Sequence, residues 1–205
     1  YFSDMVDVLD ANGGILDKYI GDAIMALFGV PFAGECDETN AVRAANDMML
    51  ALERLNVRRE RAGQQPLRHG IGINTGEAIA GNIGSAKRMD YTVIGDSVNL
   101  TARIESVTKN YGTPVLVSDL TLARLDDQTL FREVDRIRVK GKTQPVTLYE
   151  SFSWRADRID AQEQEASEVQ RDALQAFREQ SWTEARERFA QAAALQPNDK
   201  IAPLY

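Results

Sequence analysis

Asn99 and Arg103 stand four residues apart in Asp90-Tyr-Thr-Val-Ile-Gly-Asp-Ser-Val-Asn-Leu-Thr-Ala-Arg103. A short apolar run and a glycine precede them, so the stretch reads as a strand turning into a helix. On a helix that spacing stacks an amide and a guanidinium on one side, where both can reach a single phosphate group. A helix with one polar face is common, so the same pair also reads as an ordinary solvated surface. Lys18 and Asp22 are likewise four apart, on either side of Tyr19-Ile20-Gly21. A carboxylate exposed at a glycine turn suits a hard, oxygen-seeking cation such as Mg²⁺, because the turn leaves room for water and phosphate ligands. Turn aspartates also occur with no metal at all. Lys18 and Thr92, taken alone, read as a solvated strand lysine and a β-forming threonine. Arg138-Val-Lys-Gly-Lys142 is a basic hairpin of the kind that is often simply solvated.

A chain of 205 residues is long enough for one well-buried domain and a small appendage. Its composition is that of an ordinary soluble globular protein, and no apolar run approaches the roughly 20 residues that a membrane-spanning helix needs. No charged-then-apolar leader opens the sequence, so export is not expected. Cys36 is the only cysteine, which excludes an internal disulfide and a multi-cysteine zinc site and fits a cytosolic compartment. The formal charge of −7 argues against a general nucleic-acid surface, since phosphate backbones are held by clustered lysine and arginine. Any nucleotide therefore requires a local basic pocket.

The elements that position these residues follow from periodicity. Phe2, Met5, Val6 and Leu9 have helical spacing, and Asn12-Gly13-Gly14 ends that helix. Ile15–Ile20 and Ala23–Phe28 form a hairpin about Gly21-Asp22. Thr39–Arg61 is a long helix with Val42, Ala45, Met49, Leu52 and Leu55 on the face turned to a sheet. Leu67–Asn74 and Glu77–Ala80 are expected to pair as strands across Thr75-Gly76, with the glycines of Gly81-Asn-Ile-Gly84 serving as turn geometry. Strand Pro114–Ser118, a short helix at Thr121–Leu125, and antiparallel strands Phe131–Val139 and Val146–Phe152 complete the domain. Hairpins and helices that do not alternate regularly predict an α+β fold with a mostly antiparallel sheet. His69 and the tryptophans, Trp154 and Trp182, are expected to be structural, and a reactive Cys36 is the minority reading.

After residue 153 the character changes. Residues 154–168 are charged and poor in apolar side chains and read as a linker or solvated helix. Val169–Gln180 and Thr183–Leu195 read as a helical hairpin over residues 169–205. Ala185, Phe189, Ala192 and Pro197 match the second half of a tetratricopeptide repeat, while Leu174 and Phe177 sit about one residue out of register. A single repeat cannot bury its own faces. The hairpin either docks on the preceding domain or belongs to a longer array, and continuation beyond Tyr205 is the favoured expectation.

Thr-Val-Ile-Gly-Asp-Ser-Val-Asn-Leu-Thr-Ala-Arg103 closely resembles the substrate-binding helix of class III nucleotide cyclases, and Asp17-Lys-Tyr-Ile-Gly-Asp-Ala-Ile-Met-Ala-Leu-Phe-Gly29 resembles the same family's metal-and-base hairpin. The resemblance spans Tyr1–Phe152. It implies a ferredoxin-like domain that cyclises ATP to cyclic AMP and pyrophosphate, using two Mg²⁺ or Mn²⁺ ions. In the roles it implies, Asp22 binds metal, Lys18 and Thr92 read the purine, Asn99 positions the ribose and Arg103 stabilises charge on the α-phosphate. Lys140 binds the terminal phosphates, with Lys142 as its neighbour. Lys18 argues for ATP, since guanylyl cyclases typically carry glutamate there. Threonine at position 92 resembles the subgroup that often responds to bicarbonate. The family's second metal-binding aspartate lies on an upstream Phe-x-Asp strand; Phe2-Ser-Asp4 imitates it too close to Gly13-Gly14, and Asp7 is no better, so the chain is expected to lack that strand. The resemblance also implies a homodimer with composite sites, in which a monomer is inactive. Two other classes stand beside the enzyme: a silent nucleotide-binding, dimerising regulatory module, and a scaffold whose C-terminal hairpin binds a protein partner. A membrane anchor in upstream regions is compatible with the cytoplasmic expectation.

Overall fold

A computed structural model describes residues 1–85, 87–128, 130–138 and 145–205. The chain runs α1 (Phe2–Ala11), β1 (Ile15–Ile20), β2 (Ala23–Leu27), α2 (Asp37–Arg61), β3 (Ile71–Ile73), β4 (Ile79–Ser85), β5 (Arg88–Ile94), α3 (Asp96–Tyr111), β6 (Val115–Ser118), α4 (Asp119–Leu122), β7 (Phe131–Ile137), β8 (Val146–Ser151), α5 (Ala161–Arg178) and α6 (Trp182–Leu195). Two 3₁₀ turns, Ser153–Arg158 and Ala202–Leu204, flank the last two helices.

The core is built on a four-stranded sheet in the order β3-β6-β8-β7, parallel between β3 and β6 and antiparallel elsewhere. Alternation along β6 sorts its side chains to two faces. Leu116 packs with Leu100, Ile104 and Tyr111 of α3, whereas Val115 and Val117 pack with Val42, Ala45 and Met49 of α2. The sheet is thus sandwiched between two helices, and β6 is buried along its whole length because it is central and covered on both sides. Met5 of α1 packs on Ala51 and Leu52 of α2, with Ile24 of β2 beside them. The helical stripe expected on α2 is the one the fold uses. No helix among the described residues is long and apolar enough to cross a membrane.

Two expectations change. Leu67–Asn74 and Glu77–Ala80 do not pair. β3 pairs in parallel with β6, and β4 pairs with β5 in a hairpin running from Ile79↔Ile94 to Ser85↔Arg88, with Gly81 and Gly84 inside the strand. The reason lies in α3: a Cβ at Gly72 would stand 2.4 Å from the Glu105 backbone nitrogen, so β3 is a glycine-lined seat for that helix. Asn74 Nδ2 donates to the Ser97 carbonyl and Thr75 Oγ1 lies 3.0 Å from Thr121 Oγ1, which draws the chain away from a tight hairpin.

The second change concerns the start of the C-terminal helices: of residues 154–168, expected as a linker or solvated helix, residues 161–168 are the first turns of α5. α5 is continuous from Ala161, where the Asp160 side chain accepts the Glu163 backbone N–H at 2.8 Å as an N-cap. Its buried side includes Ala166 and Gln170, which carry little hydrophobic signal. α5 and α6 pack antiparallel around Ala173, Leu174, Ala185, Phe189 and Ala192. The hairpin also docks on the domain. Ile201, fully buried, joins Leu100, Ile104 and Val134 in the core. Arg132 of β7 bonds to Glu150 (2.8 Å), to both Asp199 oxygens (2.9 and 3.1 Å) and to Gln170 (3.3 Å). Asp135 accepts from Tyr111 and Tyr205, each at 2.6 Å. Burial first, and then these bonds to a carboxylate, push both phenols well above their ordinary range.

Candidate functional site

β1 and β2 meet at Gly21 (φ +64°), a left-handed position that glycine takes without the Cβ penalty, and Asp22 follows it exposed in the turn. The hairpin is irregular. Leu16 pairs with Ala26 and Lys18 with Met25, so Asp17 is an extra residue in a β-bulge. Bulges re-aim side chains, and this one brings two consecutive residues together: Lys18 Nζ lies 3.3 Å from Asp17 Oδ2. The same oxygen accepts a hydrogen bond from Thr92 Oγ1 on β5 at 2.9 Å. The Asp17 side chain is 2% exposed and that of Lys18 is 42% exposed, so the carboxylate is enclosed while the ammonium reaches solvent. Lys18 and Thr92, far apart in sequence, are therefore brought side by side through a residue that sequence reasoning did not single out.

Asn99 and Arg103 lie on α3 and are exposed, opposite the fully buried Leu100 and Ile104. They share the outward face that their spacing implies. Asp22 sits beyond the Ile20↔Ala23 pair, at the hairpin tip, outside the Asp17 contact. Burial, and after it the charge of Asp22, raises the Tyr1 phenol above its ordinary range. Asp4 is helical, in α1, and pairs with Arg58 of α2. Lys140 and Lys142 lie outside the described residues. Among the described residues no three His, Cys, Asp or Glu side chains group as a metal site. Asp22 fits the part of one carboxylate ligand, but the donors here do not fit a whole two-metal centre.

His69 is placed for packing. Nδ1 lies 3.0 Å from the Tyr1 hydroxyl and Nε2 3.2 Å from Met49 Sδ, and burial drives its pKa down to about 4. A cavity of about 380 Å³ beside the start of α3, lined by Asn74, Glu77, Asp96 and Ser97 among others, includes none of the sequence-predicted site residues.

A helix-flanked sheet with two accessory hairpins joined at Asp17, and a long helix entered directly from β5, is the architecture of a class III cyclase domain. The profile of the adenylate and guanylate cyclase catalytic domain matches residues 1–150, and the chain belongs to that family. It is 39% identical over 160 residues to an adenylate cyclase of Anabaena cylindrica, covering 73% of this chain and 30% of that protein. It is 32% identical over 198 residues to the terminal-differentiation-specific adenylate cyclase of Dictyostelium discoideum, covering 95% of this chain and 9% of that protein. The chain thus spans less than a third of the length of either relative. Among solved structures, the guanylyl cyclase Cya2 superposes with a TM-score of 0.65 at 41% identity, covering 74% of this chain and 76% of that one. The adenylyl cyclase CyaB from P. aeruginosa superposes with a TM-score of 0.61 at 34% identity, covering 74% and 78%.

Proposed function

We propose that this chain is the catalytic part of an adenylate cyclase, converting ATP to 3′,5′-cyclic AMP and pyrophosphate in signal transduction. The observation that carries the choice of base is the convergence of Lys18 Nζ and Thr92 Oγ1 on one carboxylate oxygen, at 3.3 and 2.9 Å. It sets an ammonium donor beside a hydroxyl, the pair that can face adenine N1 and its exocyclic amine. The solved structures similar to this chain include cyclases of either base, so these side chains, not overall similarity, decide between ATP and GTP.

In the reaction the ribose O3′ attacks the α-phosphorus, the bond to the bridging oxygen breaks, and pyrophosphate leaves. Asn99 holds the ribose, and Arg103 offers donors to the charge that grows on the α-phosphate. Lys140 takes the terminal phosphates. Class III cyclases in general use divalent metals; Mg²⁺ or Mn²⁺ would neutralise phosphate charge, and Asp22 is the side chain here that would hold one. Lys18 and Asp22 share one hairpin but serve different centres, so a homodimer forms two composite sites. Exposed Ile79, Met89, Tyr91 and Ile94 on β4 and β5 supply apolar surface for the partner copy. Residues 1–153 act as the cyclase unit in the cytoplasm, where ATP is available. The α5–α6 pair is a tetratricopeptide-like hairpin, and a protein partner there would meet its exposed Trp182 side.

The test is cyclic AMP formation from ATP with Mn²⁺ by the full-length protein and its Lys18→Glu, Thr92→Cys variant. ATP turnover should fall by roughly 100-fold in kcat/KM while GTP is admitted. Unchanged ATP kinetics would remove the base assignment. ATP binding without any cyclic AMP would instead favour a silent nucleotide-binding regulatory module.

A further inference from the structure

We infer that Asp17 is a specificity-determining positioning residue: its carboxylate fixes the direction of the Thr92 hydroxyl and so makes the Lys18–Thr92 pair read adenine and reject guanine. This rests on the purine-reading role of Lys18 and Thr92 proposed above and adds the group that gives that pair its polarity.

A threonine hydroxyl has one proton and two lone pairs, and by itself it can serve either an amine or a carbonyl. A carboxylate only accepts. Thr92 Oγ1 donates its single proton to Asp17 Oδ2 at 2.9 Å, so whatever else meets that hydroxyl meets lone pairs. Lys18, bonded to the same oxygen, has only donors to offer. The two groups together present a donor beside an acceptor. Adenine shows the complement, an acceptor at N1 and a donor at its exocyclic amine. Guanine shows a donor at N1 and an acceptor at O6, and opposes both groups.

The local backbone supports a built feature. In a regular strand Asp17 and Lys18 would point to opposite faces. Because Asp17 is the bulged residue, between the Leu16↔Ala26 and Lys18↔Met25 pairs, its carboxylate reaches Thr92 of β5 while staying 3.3 Å from Lys18 Nζ. Asp17 is 2% exposed at its side chain and Thr92 is 6% exposed, so water competes little for this hydrogen bond. Bonds to a charged acceptor are roughly twice as strong as neutral ones, which holds the hydroxyl in one rotamer before substrate arrives.

The experiment compares kcat/KM for ATP and GTP, together with the affinities of 3′-deoxy-ATP and 3′-deoxy-GTP, which lack the attacking hydroxyl. The full-length protein is used throughout. In Asp17→Asn the side-chain amide can donate to Thr92 and free its proton, so the ATP:GTP ratio should fall about 10-fold or more in both turnover and binding. A purely structural role would lower both nucleotides alike and leave the ratio in place. Thr92→Asn tests the same idea with Asp17 intact: the carboxylate accepts the amide N–H and turns the amide oxygen outward, so the preference for ATP should persist. Loss of preference in Thr92→Asn, or an unchanged ratio in a folded Asp17→Asn, would overturn the inference. Lys18→Glu separates the two levels. If it shifts the ratio and Asp17→Asn does not, only the role of Asp17 is wrong; if neither shifts it, the base-pocket reading has failed.

Discussion

Arg103 stands on the exposed face of α3 while Leu100 and Ile104 on the other side are completely enclosed, so the helix is anchored by its apolar stripe and free to present its polar one. Replacing Arg103 leaves that apolar anchoring untouched. Arg103→Ala is expected to lower kcat by about 10²–10³-fold with a smaller change in KM, because the group is assigned to charge that develops only in the transition state. Steady-state kinetics with ATP checks it. His69 supplies a prediction of the opposite kind, in stability alone. Its folded pKa of about 4 lies below the ordinary 6.5, so the unfolded chain binds the extra proton first as pH falls. Stability should be intact above pH 7 and decline by about 2–3 kcal/mol on going to pH 4.5. Urea midpoints across that range should show the decline, and His69→Gln should lose most of it.

At the scale of elements, the C-terminal helices are packed onto the domain that precedes them. Ile201 enters the core with residues of α3, β6, β7 and β8, and Arg132 holds Asp199 and Gln170 from the hairpin while also holding Glu150 of β8. α3 carries Asn99 and Arg103, so the hairpin braces the helix on which the proposed chemistry depends. Ile201→Ala should cost about 2–4 kcal/mol of unfolding free energy through lost transfer energy and a cavity. Arg132→Met should cost about 3–5 kcal/mol, since Glu150 and Asp199 would be left enclosed without their cation. Denaturant titration measures both. The alignment with the Dictyostelium relative covers 95% of this chain and so enters these helices, whereas the family profile stops at residue 150.

At the scale of the whole molecule, the distribution of the proposed roles over one chain makes a quantitative demand. Asp22→Ala and Asn99→Ala proteins should each be nearly silent. Mixed in equal amounts and allowed to exchange, half of the dimers are mixed and each has one intact centre, so about a quarter of wild-type activity should return. Cyclic AMP production by the mixture reads this directly, and no recovery would refute composite sites. The accessory hairpins expose Tyr19, Ile20, Ile79, Met89 and Tyr91, a surface whose burial by a second copy would accompany that recovery.

The family and several elements were legible in the sequence: the apolar stripe of α2, the apolar run of β6, the strand–glycine–helix passage into α3 and the hairpin around Gly21 are local patterns, written in residues close together. The fourfold spacing of Asn99 and Arg103 likewise fixed their common face, because a helix converts sequence separation directly into geometry. Pairing was less legible. Thr75-Gly76 has the chemistry of a turn, yet β3 goes to β6 because the glycine at position 72 admits the backbone of α3, a contact between residues distant in the chain. The docking of the α5–α6 hairpin was hidden for the same reason, since its partners are a buried arginine on β7 and a lone isoleucine after the last long helix. Asp17 was the least visible of all. Regular alternation would have turned it away from Lys18, and only a bulge in the tertiary structure, meeting a second hairpin at Thr92, placed its carboxylate between the two residues that the sequence had already named.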